Sequence, residues 1–122
     1  MRREILALLA LVLVAGPAGA KPRTYPIRAF DGAWHLTFET RAGSCDANYE
    51  FDVNILNGNI THPNLVRFNG RVSPSGAVRA AVTVQDKHAA GTGRLQLASG
   101  TGSWSGHSGA ARCSGVWTAH KS

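Results

Sequence analysis

The sequence predicts an all-β fold: a small antiparallel up-and-down barrel of about eight short strands. Three observations lead there. From Gly32 onward short apolar runs alternate with polar residues, and no window sustains a helical period. Gly and Pro punctuate those runs at short spacing, as turns between strands do. The two cysteines, Cys45 and Cys113, stand near the starts of the second and last strands, so a bond between them suits a sheet whose first and last strands meet. An open β-sandwich is the alternative.

The chain starts MRREILALLALVLVAGPAGAKP. Two arginines, a short apolar run, a Gly-Pro break and small residues before Lys21 form the pattern of a secretory signal peptide over residues 1–20. The apolar run is too short to span a bilayer as a helix, so no transmembrane segment is expected after cleavage. The expected location is periplasmic or secreted. Losing Arg2, Arg3 and Glu4 would leave 11 basic and 6 acidic residues, a net charge of +5 from Lys21 on. Such a chain meets anionic surfaces such as lipopolysaccharide, acidic polysaccharide or anionic lipid; nothing in it specifies a nucleic acid. Export also places Cys45 and Cys113 in an oxidising compartment, where a disulfide is the default. Residues 21–31, KPRTYPIRAFD, read as an extended basic arm, and residues 32–122 as one β-barrel domain.

The strands follow in order. GAWHLTFET turns Trp34, Leu36 and Phe38 to one face, and NYEFDVNIL turns Tyr49, Phe51, Val53 and Ile55 inward. Asn57-Gly58 suits a two-residue type I′ turn, setting Leu56 opposite Asn59 and Ile55 opposite Ile60. The second Asn-Gly, Asn69-Gly70, lies inside a strand, because Val66, Phe68 and Val72 keep phase through it. The turn there is Pro74-Ser75-Gly76, a three-residue loop with Gly in the left-handed position. Val78, Ala80, Val82 and Val84 then face in, followed by a four-residue loop from Gln85 to His88. Gly91, Gly93, Leu95 and Leu97 face in, Ala98 to Thr101 turn, and Gly102, Trp104 and Gly106 face in again. His107 to Arg112 connect to a last strand on which Cys113, Gly115 and Trp117 share a face.

Five inward glycines, Gly91, Gly93, Gly102, Gly106 and Gly115, need a reason, since glycine weakens strands. Trp34, Trp104 and Trp117 supply one: indoles need room in a narrow barrel. A ligand pocket lined by the same three tryptophans is the other reading. A chain this short is expected to fill its barrel with side chains.

Catalysis finds little support. Gly102 to Gly106, GSWSG, places Trp104 where a nucleophile elbow needs serine. Acidic residues alternate with core positions or sit in turns, as solvated faces do. The histidines His35, His62, His88, His107 and His120 show no ligand spacing, so no metal or cofactor is expected. The arginines carry more. The Pro74-Ser75-Gly76 loop sets Arg71 opposite Arg79, and a four-residue loop at Gln85–His88 would set Arg79 opposite Arg94. Arg71, Arg79 and Arg94 would then form one outward row, with Arg67 close by. Like charges facing each other across strands cost stability, and an anionic partner offsets that cost. In the blander reading, exposed arginines splay into water at little cost.

The stretches FDGAWHLTFETRAGSCDANYEFDVNILNGNI, GRVSPSGAV, GTGRLQLASGTGSWSG and CSGVWTAHK together resemble a family of short exported β-rich proteins of Gram-negative bacteria, often labelled as related to haem utilisation or adhesion exoproteins. The resemblance spans nearly the whole expected mature chain and carries no established active site with it. Gly32-x-Trp34 also resembles the opening of lipocalins and avidins, without their length. The function expected first is a non-catalytic exported binding module for an anionic polysaccharide, lipopolysaccharide or protein partner, acting through Arg67, Arg71, Arg79 and Arg94. The alternatives are a carrier of haem or another small hydrophobic ligand, and an inhibitor of an exported protease acting through the arm before Gly32.

Overall fold

Alternating apolar residues and tight turns wind the chain into a meander that meets itself. The computed structural model describes residues 24–63 and 67–122; the expected signal peptide, its cleavage point before Lys21 and the inward placement of Val66 lie outside the described residues. Among the described residues, eight antiparallel strands close a barrel in chain order. They are β1 (Gly32–Ala42), β2 (Asn48–Leu56), β3 (Asn59–Thr61), β4 (Arg67–Val72), β5 (Ala77–Val84), β6 (Lys87–Leu95), β7 (Ser99–Ser108) and β8 (Ala111–Lys121). Closure is made by β1 against β8, from Trp34 opposite Lys121 to Ala42 opposite Ser114, with a bulge at Arg41. The sandwich alternative is thereby set aside. Cys45 and Cys113 form the disulfide, fastening the β1–β2 loop to β8 across a separation of 68 residues.

Turn chemistry explains most of the register. Asn57 and Gly58 both take positive φ, and Ile55 pairs with Ile60. Gly76 takes φ +88° and closes a three-residue loop in which Ser73 N–H donates to the Ala77 carbonyl. Asn69 and Gly70 lie inside β4, so the second Asn-Gly is not a turn.

Three expectations are corrected. The β5–β6 connection is a two-residue turn, Gln85-Asp86, with Val84 opposite Lys87. Gln85 takes φ +56°, the sign that a type II′ turn needs at its first central position, although that position usually holds glycine. Leu97, expected inside, is 50% exposed, because β6 ends at Leu95 and the chain turns so that Gln96 N–H donates to the Ser99 carbonyl. Gly100 lies opposite Leu95 there; a Cβ on it would collide with the Leu95 side chain, so glycine sets this register. The segment before Gly32 is not a free extended arm from Thr24 on. Ile27–Phe30 form a 3₁₀ turn, Phe30 is fully buried, and Trp34 Nε1–H donates to the Phe30 carbonyl at 2.8 Å. Tyr25 N–H donates to the Pro74 carbonyl, and Asp31 Oδ1 accepts from Asn57 N–H, so the segment closes the barrel end that carries the β2–β3 and β4–β5 turns.

Four of the five inward glycines, Gly91, Gly93, Gly102 and Gly115, make room for indoles, while Gly106 lies against the β6 backbone at His88 and Ala89. Trp117 on β8 lies over its cross-strand partner Gly102 and, beyond it, Gly93, and its Nε1–H donates to the Thr92 carbonyl two strands away. Trp104 on β7 lies over Gly115 and donates to the Glu39 carbonyl on β1, two strands the other way. A Cβ at Gly102 would stand 2.6 Å from Trp117 Nε1, and one at Gly115 2.9 Å from Trp104 Nε1. The core around these rings includes Leu36, Phe38, Val53, Ile60, Val78 and Val82.

Two outcomes follow. Gly102→Ala pushes a methyl into Trp117 and the β6 backbone, and should lower the unfolding free energy in urea by about 1–3 kcal/mol, the usual cost of overpacking. Reduction of the Cys45–Cys113 bond should cost about 4 kcal/mol on the loop-entropy estimate, measured by the same titration with and without dithiothreitol.

Candidate functional site

The outer surface sorts its charges by strand. Strands β4, β5 and β6 carry Arg67, Arg71, Arg79, Lys87 and Arg94 and no carboxylate. The β1 and β2 strands carry Glu39, Glu50 and Asp52. On the basic side, Arg71 lies directly opposite Arg79, as the turn chemistry predicts. Facing residues in such a pair sit roughly 5 Å apart at Cβ, so the two guanidinium groups raise each other's electrostatic cost.

Arg94 does not complete that row. The two-residue turn at Gln85-Asp86 places Thr92, not Arg94, opposite Arg79; Arg94 pairs with Ala77 one step down the face. Its Nη1 donates to the Ser75 carbonyl at 2.8 Å, which ties it into the β4–β5 loop. Arg67 lies opposite Thr83, four residues along β4 from Arg71. Arg71 Nη1 donates to Asn59 Oδ1 at 2.8 Å. Arg79 makes no hydrogen bond or ion pair among the described residues. Beside this pair runs a shallow open groove floored by Ala81, Ala90, Thr92, Ser103 and Ser105. Small side chains on three successive strands leave the arginines standing above a flat floor with hydroxyls on it.

On the acidic side, His35 Nδ1 contacts Asp52 Oδ1 at 2.8 Å and Nε2 contacts Glu50 Oε1 at 2.8 Å. Hydrogen bonds to Asp52 and then Glu50 raise the imidazole pKa above its ordinary value, against an opposing effect of burial. A carboxylate oxygen at each ring nitrogen favours the protonated ring. Alternation alone placed these three residues on the outer face, but their meeting depends on the length of the 43–47 loop, which carries no register signal. His88 and His107, expected near a turn and in a loop, are cross-strand partners within β6 and β7, their rings 5.8 Å apart. Among the described residues no three His, Cys, Asp or Glu side chains gather to hold a metal ion.

The three tryptophans separate. Trp34 and Trp117 border an interior cavity of about 30 Å³, room for about one water. Trp104 stands nearer the other barrel end, in the wall of a recess of about 340 Å³. No helix among the described residues is long and apolar enough to cross a membrane.

No protein-family model matches the chain, and no curated protein or solved structure matches it. Fold and surface thus define a class, a small disulfide-bonded up-and-down β-barrel with opposed charged walls.

The His35 cluster has a pH signature. Its folded pKa lies above the unfolded value of about 6.5, so its contribution to stability is full below that pH and is lost as pH rises through the folded pKa. His35→Gln should therefore melt below wild type at pH 5.5, with the gap closing by pH 9. Melting curves across that range check it; a constant gap would refute the linkage.

Proposed function

We propose that the protein is a non-catalytic exported binding module for an anionic partner, an acidic envelope or extracellular glycan such as lipopolysaccharide. The supporting observation is the Arg71–Arg79 pair: two like charges directly opposed across β4 and β5, one of them without a partner among the described residues. A protein surface selected only for stability would place a carboxylate or a neutral residue at one of those positions. The adjoining groove suits an extended chain, whose anionic groups meet the arginines while its backbone rests on Thr92, Ser103 and Ser105. The disulfide supports export, since such bonds persist in oxidising compartments.

Neither a haem pocket in the barrel axis nor an inhibitory arm gains a specific observation. A cavity of about 30 Å³ offers haem no room between Trp34 and Trp117. From Tyr25 on, the segment before Gly32 is bonded and packed into the barrel end, which leaves it unavailable as an inhibitory arm.

The test separates the pair from general basicity. On immobilised lipopolysaccharide, Arg71→Ala/Arg79→Ala should elute at clearly lower salt than wild type, and Arg94→Ala close to wild type. Equal losses from all three arginines, or no salt dependence, would sink the reading. Arg79→Ala should at the same time leave the free protein as stable or more stable, by roughly 0.2–1 kcal/mol at low salt, because it removes a like-charge pair.

A further inference from the structure

The two ends of the barrel are built differently. One is stoppered by Tyr25 to Phe30, with Phe30 fully buried under the Tyr25 ring. At the other, ringed by the β1–β2 loop, His62 after β3 and the β5–β6 and β7–β8 turns, nothing among the described residues plays that part. There a recess of about 340 Å³ opens, walled by Phe38, Phe51, Val82, Val84 and Trp104. That volume falls at the low end of the ~300–1,000 Å³ typical of ligand pockets. Phe38 forms its floor, with the Phe51 and Trp104 rings 5.7 and 5.9 Å away.

The rim is polar, and its charges are unevenly engaged. Glu50 is held by His35 Nε2. Tyr49 Oη accepts from Asp46 N–H, and His88 Nδ1 contacts Thr83 Oγ1. Lys87 lies in the inward phase of β6, lines the recess and makes no hydrogen bond or ion pair among the described residues. A half-buried lysine at the lip of an apolar hollow is a place for an anion that brings an apolar tail with it. Beneath the floor, the cavity of about 30 Å³ admits about one water, so a tail must stop at Phe38.

We propose that this open end binds a small amphiphilic monocarboxylate of medium chain length, its tail against Phe38, Phe51, Val82, Val84 and Trp104 and its carboxylate at Lys87. The site lies inside the rim and shares only Trp104 with the lining of the arginine groove, so the response to Lys87→Gln tests it independently. Each methylene buried should tighten binding by roughly three- to fourfold until the recess is full, after which added carbons protrude into water and gain little.

The experiment titrates the purified protein with hexanoate, octanoate, decanoate, hexadecanoate and octan-1-ol, following indole N–H resonances by NMR. Octanoate should bind saturably with Kd near or below about 1 mM. It should move the Trp104 signal and leave Trp34, at the stoppered end, in place. Affinity should climb from hexanoate and level off by decanoate. Lys87→Gln should weaken octanoate about tenfold, leave octan-1-ol unchanged, and be rescued by Lys87→Arg. The rim position of Lys87 keeps these variants folded, and the unchanged Trp34 signal verifies it. No saturable binding, equal affinity for octan-1-ol and octanoate, or indifference to Lys87→Gln overturns the proposal. So does affinity that keeps climbing to hexadecanoate. A concentration-dependent dimer that shifts Trp104 without ligand would assign the mouth to a second copy and overturn it too.

Discussion

Indole over glycine is the constraint on which the rest of this barrel depends. Eight short strands enclose little space, and two tryptophans on adjacent strands must lie nearly flat against the wall to fit. Flat placement is available only where the neighbouring strand carries no side chain, hence Gly102 and Gly93 under Trp117 and Gly115 under Trp104. Each ring spans its glycine and donates to a carbonyl one strand further on, at Thr92 and at Glu39. A buried indole N–H left without an acceptor would cost a hydrogen bond's worth of desolvation, so the same geometry satisfies packing and polarity together. The two rings reach in opposite directions across the β7–β8 seam. Together they bind β6 to β1, a short arc of the wall that includes the closing β1–β8 contact.

A core filled this way pushes function outward. With the tryptophans spread against the wall and aliphatic side chains in the middle, no volume is left for a large prosthetic group in the barrel axis. What remains is the outer surface and the two ends. The N-terminal segment occupies one end through Phe30, and Trp34 anchors that stopper by its bond to the Phe30 carbonyl. The disulfide works near the other end, holding the β1–β2 loop against β8. The end without a stopper among the described residues therefore has a covalently braced edge, which suits an opening whose shape must persist.

Much of this was legible in the sequence where one residue type has one conformational use. Asn57-Gly58 fixed a hairpin, and Pro74-Ser75-Gly76 fixed a bulged loop, and from the second came the opposition of Arg71 and Arg79. Inward glycines in phase with tryptophans announced flat packing. The failures share a cause: positions where tertiary context overrides a residue's ordinary preference. Gln85 adopts a positive φ without being glycine, which shortened the turn and moved Arg94 off the row. Leu97 is apolar yet exposed, because Gly100 was needed opposite Leu95. The segment from Tyr25 to Phe30 looked like a Pro-punctuated arm because two of its anchoring partners, Pro74 and Asn57, are remote in sequence.

The separation of charge on the barrel wall gives the arginine pair its meaning. The β1–β2 carboxylates do not neutralise the basic strands, because β3 stands between β2 and β4, and β7 and β8 between β6 and β1. Instead Asp52 and Glu50 close on His35, and Glu39 on Arg41. The acids are satisfied locally by His35 and Arg41 on their own wall, and the basic strands receive none. Among the β4–β6 arginines, Arg71 and Arg94 settle for neutral acceptors, Asn59 Oδ1 and the Ser75 carbonyl, which orient a guanidinium without cancelling its charge. Orientation without neutralisation keeps a cation ready for an external anion, and Arg79, with neither, is the group whose environment an incoming anion would improve most.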